Sequence, residues 1–345
     1  MKAVQIHRHG GVEQLCYEEA PQPELKAPRD AIVKLKAAAL NQWDIRTRRG
    51  LSPDRASFPH ILGSDGAGVV VALGNEVRDL DIGDEICVFP LTGCGQCEFC
   101  RTDREASCSQ LAILGEHDNG TYAEYVRVPA RNCFPIPAGL SFEEAAAFPL
   151  VFVTAWRMLH THARLRPGEW ILIRGAGGGV ATAALRLALD LGARIIVTSR
   201  SDEKLTMAQA RGAEHGVNSD KCDFAEEVRL LTGKHGADVV VDCVGGGSWA
   251  KSLAALARGG RLVTCGTSAG SEPKTNLQRI FWNHLKVFGS SLGSRQEFYQ
   301  VLKFIEVARA KPVLDKIFPL RDADKAQQRM EAGQQFGKIV LRMDN

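Results

Sequence analysis

Over the first ~130 residues the apolar positions come in short runs, among them "AIVKLKAAAL", "GAGVVVALG", "DEICVFPL" and "YAEYVRVP". Each is bounded by glycine or proline and none holds a helical period for long, which predicts strands. From about residue 140 the pattern lengthens. "SFEEAAAFPLVFVTAWRMLH" predicts a helix, with Ser141 as N-cap and Glu144 three residues on in a capping-box arrangement. Strand and helix then alternate. "EWILIRGAGGG" reads as a strand running into a glycine turn. "VATAALRLALDLG" reads as a helix with Val180, Ala184, Leu187 and Leu191 on one face and Gly192 as its stop. The strands "RIIVTSR", "ADVVVDCVGG" and "RLVTCGT" alternate with the helices "SDEKLTMAQARG", "FAEEVRLLTG" and "SWAKSLAALARGG". Continuous β-branched runs between helices predict a parallel sheet covered on both faces. One long helix, "RQEFYQVLKFIEVARAKP", and the closing pieces "DKIFPL" and "GKIVLRM" complete the chain. The fold class is α/β: a β-rich domain and a doubly wound parallel-sheet domain.

Length agrees with that division, because 345 residues exceed what one hydrophobic core usually serves. The formal charge of +3 comes from interleaved acids and bases with no basic stripe, which argues against a nucleic-acid partner. The longest apolar stretch is interrupted by Pro149 and falls short of the ~20 residues of a membrane span. The opening "MKAVQIHRHGG" has no apolar segment of signal-peptide length. A cytoplasmic protein with no membrane partner is expected.

Six of the ten cysteines (Cys16, Cys87, Cys133, Cys222, Cys243 and Cys265) are scattered singly, and most of them read as small buried hydrophobes. The other four are clustered in "GCGQCEFCRTDREASC" as C-x2-C-x2-C-x7-C: Cys94, Cys97, Cys100 and Cys108. Clustering in a cytosolic chain favours metal over disulfide. Four thiolates close a tetrahedral zinc and leave no position for substrate, so this is a structural Zn2+ site. Iron–sulfur clusters also take four cysteines, but their familiar spacings differ. Gly93 and Gly95 allow the loop to wrap tightly.

The turn "ILIRGAGGGVATAAL" lacks the last glycine of a strict G-x-G-x-x-G, since Val180 stands there, but Gly175, Gly178 and Ala181 keep a looser spacing. After a strand and before a helix, such a turn brings backbone close to a pyrophosphate and sets the phosphates on the helix N-terminus. The next strand ends "VTSRSDEKL". Ser199 and Arg200 stand where an acid would hold the ribose 2′-OH of NAD, and Asp202 belongs to the following helix turn. A hydroxyl and a guanidinium suit a 2′-phosphate, with Lys204 adding charge, so NADP(H) is expected.

These motifs, together with "DNGTYAEYVRVPARN", "LSFEEAAAFPLVFVTAW" and a terminal "FGKIVL", resemble the medium-chain dehydrogenase/reductase superfamily, which includes zinc alcohol dehydrogenases and quinone oxidoreductases. The resemblance covers essentially the whole chain. It implies a GroES-like catalytic domain over 1–151 and 290–345, a Rossmann NADP(H)-binding domain over 152–289, and a cleft between them. It implies a homodimer, with a tetramer as the alternative. It also implies cofactor contacts from Gly175, Gly178, Gly179, Val180, Ser199, Arg200, Lys204, Val244, Gly266 and Lys338. Zinc alcohol dehydrogenases hold a second, catalytic zinc through a cysteine after the first long strand, a histidine of a Gly-His-Glu motif, and a cysteine or acid near the start of the coenzyme domain. Here Asn41 stands in the first place, Ser64 in the second (with Asp65 for the glutamate), and Leu150 near the third. Asn, Ser and Leu do not make a zinc site. His60, His160 and His162 are near in sequence but read as surface or core residues.

Without that zinc, alcohol oxidation lacks its Lewis acid. Reducing a conjugated C=C needs only a hydride, hydrogen bonds to the enolate and a proton. The expected activity is NADPH-dependent reduction of an α,β-unsaturated carbonyl or a quinone. Asn41 would position the carbonyl or the nicotinamide amide, Ser64 would donate to the enolate, and Thr154 would contact the cofactor. Asp44 has a catalytic or a structural role. Arg46 and Arg49 either face an acidic substrate or form an exposed surface, and Phe281 and Trp282 either shape a pocket or pack in the core. An alcohol dehydrogenase with other metal ligands and a non-catalytic cofactor-binding protein are the alternatives.

Overall fold

The computed structural model describes residues 1–51 and 57–343. Ten strands lie in the first stretch of the chain: β1 (Lys2–Ile6), β2 (Cys16–Glu19), β3 (Asp30–Ala39), β4 (His60–Ile61), β5 (Asp65–Leu73), β6 (Glu85–Val88), β7 (Leu91–Thr92), β8 (Ala112–Ile113), β9 (Tyr125–Pro129) and β10 (Cys133–Pro135). With them are helices α1 (Gln42–Arg48) and α2 (Phe142–Ala147). Helix α3 (Pro149–Trp156) leads into a second region. Its strands are β11 (Trp170–Arg174), β12 (Arg194–Ser199), β13 (His215–Asn218), β14 (Ala237–Asp242), β15 (Leu256–Thr264) and β16 (Lys286–Gly289). Its helices are α4 (Gly179–Asp190), α5 (Asp202–Gln209), α6 (Phe224–Leu231), α7 (Trp249–Ala255) and α8 (Leu277–Trp282). The chain closes with α9 (Arg295–Ala308), β17 (Leu314–Pro319), α10 (Ala323–Glu331) and β18 (Lys338–Arg342). Two compact units result: Met1–Leu150 with Ser294–Asn345, and Val151–Gly293. The second passage falls beyond the expected 289/290, where Ser294 caps α9.

In the first unit a seven-stranded sheet runs β10-β6-β5-β3-β18-β17, with β9 also on β3. One edge of β3 pairs with β5, while the other is shared by β9 at Asp30–Lys34 and by β18 at Ala37–Ala39. The last strand of the chain thus completes the first long one. Val33, Leu35, Val70, Ile86, Val126 and Ile339 form the centre of its core.

The second unit is a six-stranded sheet in the order β13-β12-β11-β14-β15-β16, parallel throughout. This is the doubly wound dinucleotide-binding order, with the reversal between β11 and β14. Leu172, Ile196, Val240 and Leu262 pack beneath Phe224, Val228 and Leu253. Among the described residues no helix is long and apolar enough to cross a membrane.

Three elements differ from the sequence expectation. The single helix expected from Ser141 is broken at Pro149, which lacks an N–H and starts α3 instead. The capping box itself is present, with Glu144 N donating to Ser141 Oγ at 3.2 Å and Ser141 N to the Glu144 carboxylate at 2.9 Å. The expected helix "SWAKSLAALARGG" ends at Ala255, and β15 takes over from Leu256 through a bulge, with Gly259 at φ +77°. Finally, "QWDIRTR", which shows no extended apolar period, folds as the short helix α1.

Candidate functional site

The cysteine loop gathers the sulfurs of Cys94, Cys97, Cys100 and Cys108 within 4.8 Å of one another. Zinc–sulfur bonds of ~2.3 Å in a tetrahedron put sulfurs about 3.8 Å apart, and Cys94 and Cys100 are separated by 3.9 Å. A side chain on Gly93 would meet the Cys100 sulfur at 2.7 Å, and Gly95 has φ +79°. Backbone N–H groups point at the sulfurs: Cys97 donates to Cys94 at 3.4 Å, Cys100 to Cys97 at 3.5 Å, and Gln110 to Cys108 at 3.3 Å. The backbone donors of Gln96 and Cys97 push the Cys94 thiol down to about 6. Four soft donors in this arrangement fit one zinc and leave it no open position. The loop is tied into its unit by Arg131, which donates to Gly93 O at 2.9 Å, and by Glu105, which accepts the backbone N–H of Arg295.

The second cluster is a buried polar node in the same unit. Asp65, at the start of β5, is fully buried. Its Oδ1 accepts the backbone N–H of Leu150 at 3.0 Å, and its Oδ2 accepts from Asn41 Nδ2 at 2.9 Å and Lys338 Nζ at 3.0 Å. Lys338 also donates to Asn41 Oδ1 at 2.6 Å. The fold therefore brings together the three positions at which the resemblance implies metal ligands. They hold an amide, the hydroxyl of Ser64 next to Asp65, and the backbone of an aliphatic residue. An ammonium and a carboxylate bind the first and the third into one unit. Lys338, expected at the cofactor, is committed to this node, because a buried carboxylate requires a partner. Asn41 is committed as well, with its oxygen on Lys338 and its nitrogen on Asp65. Ser64 is fully buried and its Oγ has no hydrogen-bond partner among the described residues.

Asp44 supports the node from α1. Its Oδ2 accepts the Asn41 backbone N–H at 2.8 Å and the Tyr122 hydroxyl at 2.9 Å, while Oδ1 has no partner among the described residues. Burial pushes its carboxyl up to about 7. Ionisation therefore opposes folding. Between about pH 4 and pH 7 the unfolded chain has released this proton and the folded chain still holds it. Stability falls across that window by on the order of 4 kcal/mol and levels off above it. Asp44→Asn should remove this slope, and wild type should lose ground to the variant in urea unfolding as pH rises from 5 to 8. Parallel pH profiles for the two proteins would refute the assignment.

The remaining charged candidates in this unit are satisfied elsewhere. His60 is buried, faces Gly115 O at 3.1 Å and is held neutral by its burial. Arg49 pairs with Glu331 at 2.8 Å, and Arg46 donates to Leu51 O at 3.3 Å. Among the described residues, only the four cysteines form a group of three or more His, Cys, Asp or Glu side chains able to share a metal ion.

In the second unit the glycine turn follows β11. Gly175 and Gly177 take φ +78° and +100°, and Gly178 caps α4. The first-turn N–H groups of Gly179 and Val180 lie at the helix end that has no internal acceptors. Arg174, buried just before the turn, donates to Thr198 at 3.0 Å, to Ser252 at 2.9 Å and to Ser248 at 3.2 Å. Its guanidinium lies 3.9 Å from the Phe224 ring centre. Ser252 donates to Asp242 at 2.6 Å, so the ends of β11, β12 and β14 are tied together. At the end of β12, Ser199 is buried and Arg200 exposed, while Asp202 is bound by Lys221 at 2.6 Å and Asn218 at 2.7 Å. Thr154 is buried on α3. Phe281 and Trp282 line no core in this unit: they are 64% and 66% exposed on α8.

Residues 27–138 match the model of the alcohol dehydrogenase GroES-like domain and residues 179–307 that of the zinc-binding dehydrogenase. A zinc-type alcohol dehydrogenase-like protein of Schizosaccharomyces pombe is 33% identical over 97% of this chain and 96% of its own length. The chain belongs to the medium-chain dehydrogenase/reductase superfamily. A crystal structure of an NAD-dependent alcohol dehydrogenase superposes with a TM-score of 0.96 at 42% identity, covering all of both chains. A crotonyl-CoA carboxylase/reductase does so at 0.92 and 26% identity, over 99% of this chain and 88% of that one. This member of the superfamily is an alcohol dehydrogenase-like oxidoreductase with a zinc-binding cysteine cluster.

Sequence reasoning singles out Asn41, Ser64 and the cysteines but not the Asp65–Lys338 pair, Tyr122 or Arg174. The available signal was a charge inside an otherwise apolar strand. Lys338 opens "KIVLR" and Asp65 opens "DGAGVVVAL", and a buried charge implies an opposite one. Cys243 and Cys265, read as isolated, stand side by side at 3.4 Å.

Proposed function

We propose that the protein reduces the C=C bond of an α,β-unsaturated carbonyl compound, or a quinone, with NADPH, and that its zinc is structural. The observation that carries this reading is the Asn41–Asp65–Lys338 node. Asn41, in one of the ligand positions of a catalytic zinc, is already bonded to Asp65 and Lys338, and Ser64 and Leu150 stand in the other two. Alcohol oxidation relies on such a metal to stabilise the alkoxide. Bound NADPH would supply the hydride. The unpartnered Ser64 hydroxyl would donate to the oxygen on which negative charge develops, and Asn41, locked by Lys338 and Asp65, would hold the backbone beside it in place. The likeness to a protein named as a crotonyl-CoA carboxylase/reductase supports reduction at a conjugated bond.

The choice of NADPH rests on Arg200, which is exposed, and on Asp202, whose carboxylate is occupied by Lys221 and Asn218. Lys204 follows in the same turn. Gly175, Gly178, Gly179, Val180, Val244 and Gly266 would carry the rest of the cofactor, and Thr154 would contact it. A homodimer is proposed through the free edge of β16 and the apolar surface of Leu277, Phe281 and Trp282, since an open edge beside exposed aromatics favours pairing with a second copy.

Oxidation of NADPH and NADH by zinc-loaded protein, against enones, quinones and alcohols, tests the proposal. Turnover of an enone or quinone is expected, with KM for NADPH at least about tenfold below that for NADH. Ser64→Ala should lower kcat by about 10²–10³ at unchanged zinc content. The superfamily's alcohol dehydrogenases supply the competing reading. Alcohol oxidation that rises as a second zinc per chain is taken up would establish it.

A further inference from the structure

β14 and β15 run side by side in register, Asp242 opposite Thr264. The next residue on each is a cysteine. Cys243 and Cys265 thus leave neighbouring strands at the same level, with sulfurs 3.4 Å apart and both side chains partly exposed. Adjacent strands lie ~4.8 Å apart, which is within the Cα span of a disulfide, and closing the sulfurs to a bond takes about 1.4 Å of movement.

The chain beyond these thiols has little slack. Ala269 N donates to Val244 O at 2.8 Å and Gly246 N to Gly270 O at 3.0 Å. Ser268 Oγ donates to Cys243 O at 3.3 Å. Asp242 fixes the N–H groups of Val244 and Gly245 at 2.8 and 2.9 Å. A side chain on Gly266 would lie 2.7 Å from Cys243 O. Movement of either sulfur is therefore passed to Val244 and Gly266, at the carboxyl ends of the strands where doubly wound sheets bind dinucleotides.

We propose that Cys243 and Cys265 form a redox-modification site, a dithiol that a peroxide-class oxidant converts to an intramolecular disulfide, weakening cofactor binding. One thiolate attacks the peroxide O–O bond and becomes a sulfenic acid, and the departing oxygen leaves as water. The second sulfur displaces the sulfenic hydroxyl as a second water, and the S–S bond forms. Two thiols lose two electrons and two protons in all, and one peroxide becomes two waters. Hydrogen bonding to Cys265 and burial hold the Cys243 thiol well above its usual range. Only the effect on affinity rests on the cofactor reading; formation of the bond does not.

Zinc-loaded protein treated with graded hydrogen peroxide tests the site by peptide mass spectrometry, zinc quantitation and NADPH titration. The expected result is a cross-linked Cys243–Cys265 peptide lighter by two hydrogen atoms, formed before zinc is released and reversed by dithiothreitol. A rise of about fivefold or more in the Kd for NADPH should accompany it. Cys243→Ser and Cys265→Ser should bind cofactor normally and keep that affinity after peroxide. Absence of the cross-link at doses that leave zinc bound, or equal loss of affinity in wild type and variants, overturns the proposal. So does a cross-link that leaves affinity unchanged. Failure of the reduced protein to bind NADPH would count against the cofactor reading alone, with the cross-link still decided by mass.

Discussion

Lys338→Met should destabilise the protein by about 3–5 kcal/mol, the cost of stranding a buried charge. The substitution would leave the Asp65 carboxylate, fully buried, with only the Leu150 N–H and the Asn41 amide as partners among the described residues, and would remove the Lys338 donor from Asn41 Oδ1. Asp65→Asn in the same background should return most of the loss, because a neutral amide no longer needs the ammonium. The pair forms a double-mutant cycle read by urea unfolding. If the double variant is as unstable as the sum of the two singles, the carboxylate and ammonium are not coupled, and the node is not the unit described above.

Removing the zinc should cost stability and spare the chemistry. Chelation, or Cys100→Ser, is expected to lower Tm by roughly 10 °C, from a loss of some 3–5 kcal/mol of folding energy contributed by the closed site. The effect should extend past the loop, since Glu105 holds the first N–H of α9. Below the new transition, kcat per folded molecule should stay within about twofold of the parent, because four thiolates leave the ion no room for substrate. Thermal scans and turnover on one preparation of known zinc content check both halves. Activity that disappears while the protein is still folded would show the metal to be part of the reaction.

The parts of this molecule that were legible in its sequence are those set by neighbours along the chain. The alternation of strands and helices after Glu169, the Ser141–Glu144 cap, the glycine turn and the cysteine spacing all depend on separations of a few residues, where period, capping and ligand geometry act directly. The node is different. Asn41 and Lys338 are 297 residues apart and Asp65 and Lys338 are 273 apart, and no local period connects them. The bonds of Lys338 to Asp65 and Asn41 are therefore invisible along the chain. The same holds for the two thiols, which look solitary along the chain and become neighbours only because β14 and β15 pair in register. The end of α7 at Ala255 has a different origin. "SLAALARGG" has the composition of a helix, and the pairing of Leu256 with Ala237 on the adjacent strand overrides it.

The pairing of β18 with β3 has a consequence for how the protein is made. A ribosome adding about 5–20 residues per second reaches Lys338 roughly 15–60 s after Asn41. In that interval every residue of the parallel-sheet unit has been synthesised, whereas the first sheet still has an open edge at Ala37–Ala39 and Asp65 has no counter-ion. The first unit can therefore close its sheet only after the second has been synthesised. The nascent first unit is the one exposed to strand-edge aggregation and the one a chaperone has reason to hold, and the final strand at once seals the sheet and supplies the charge that completes the node.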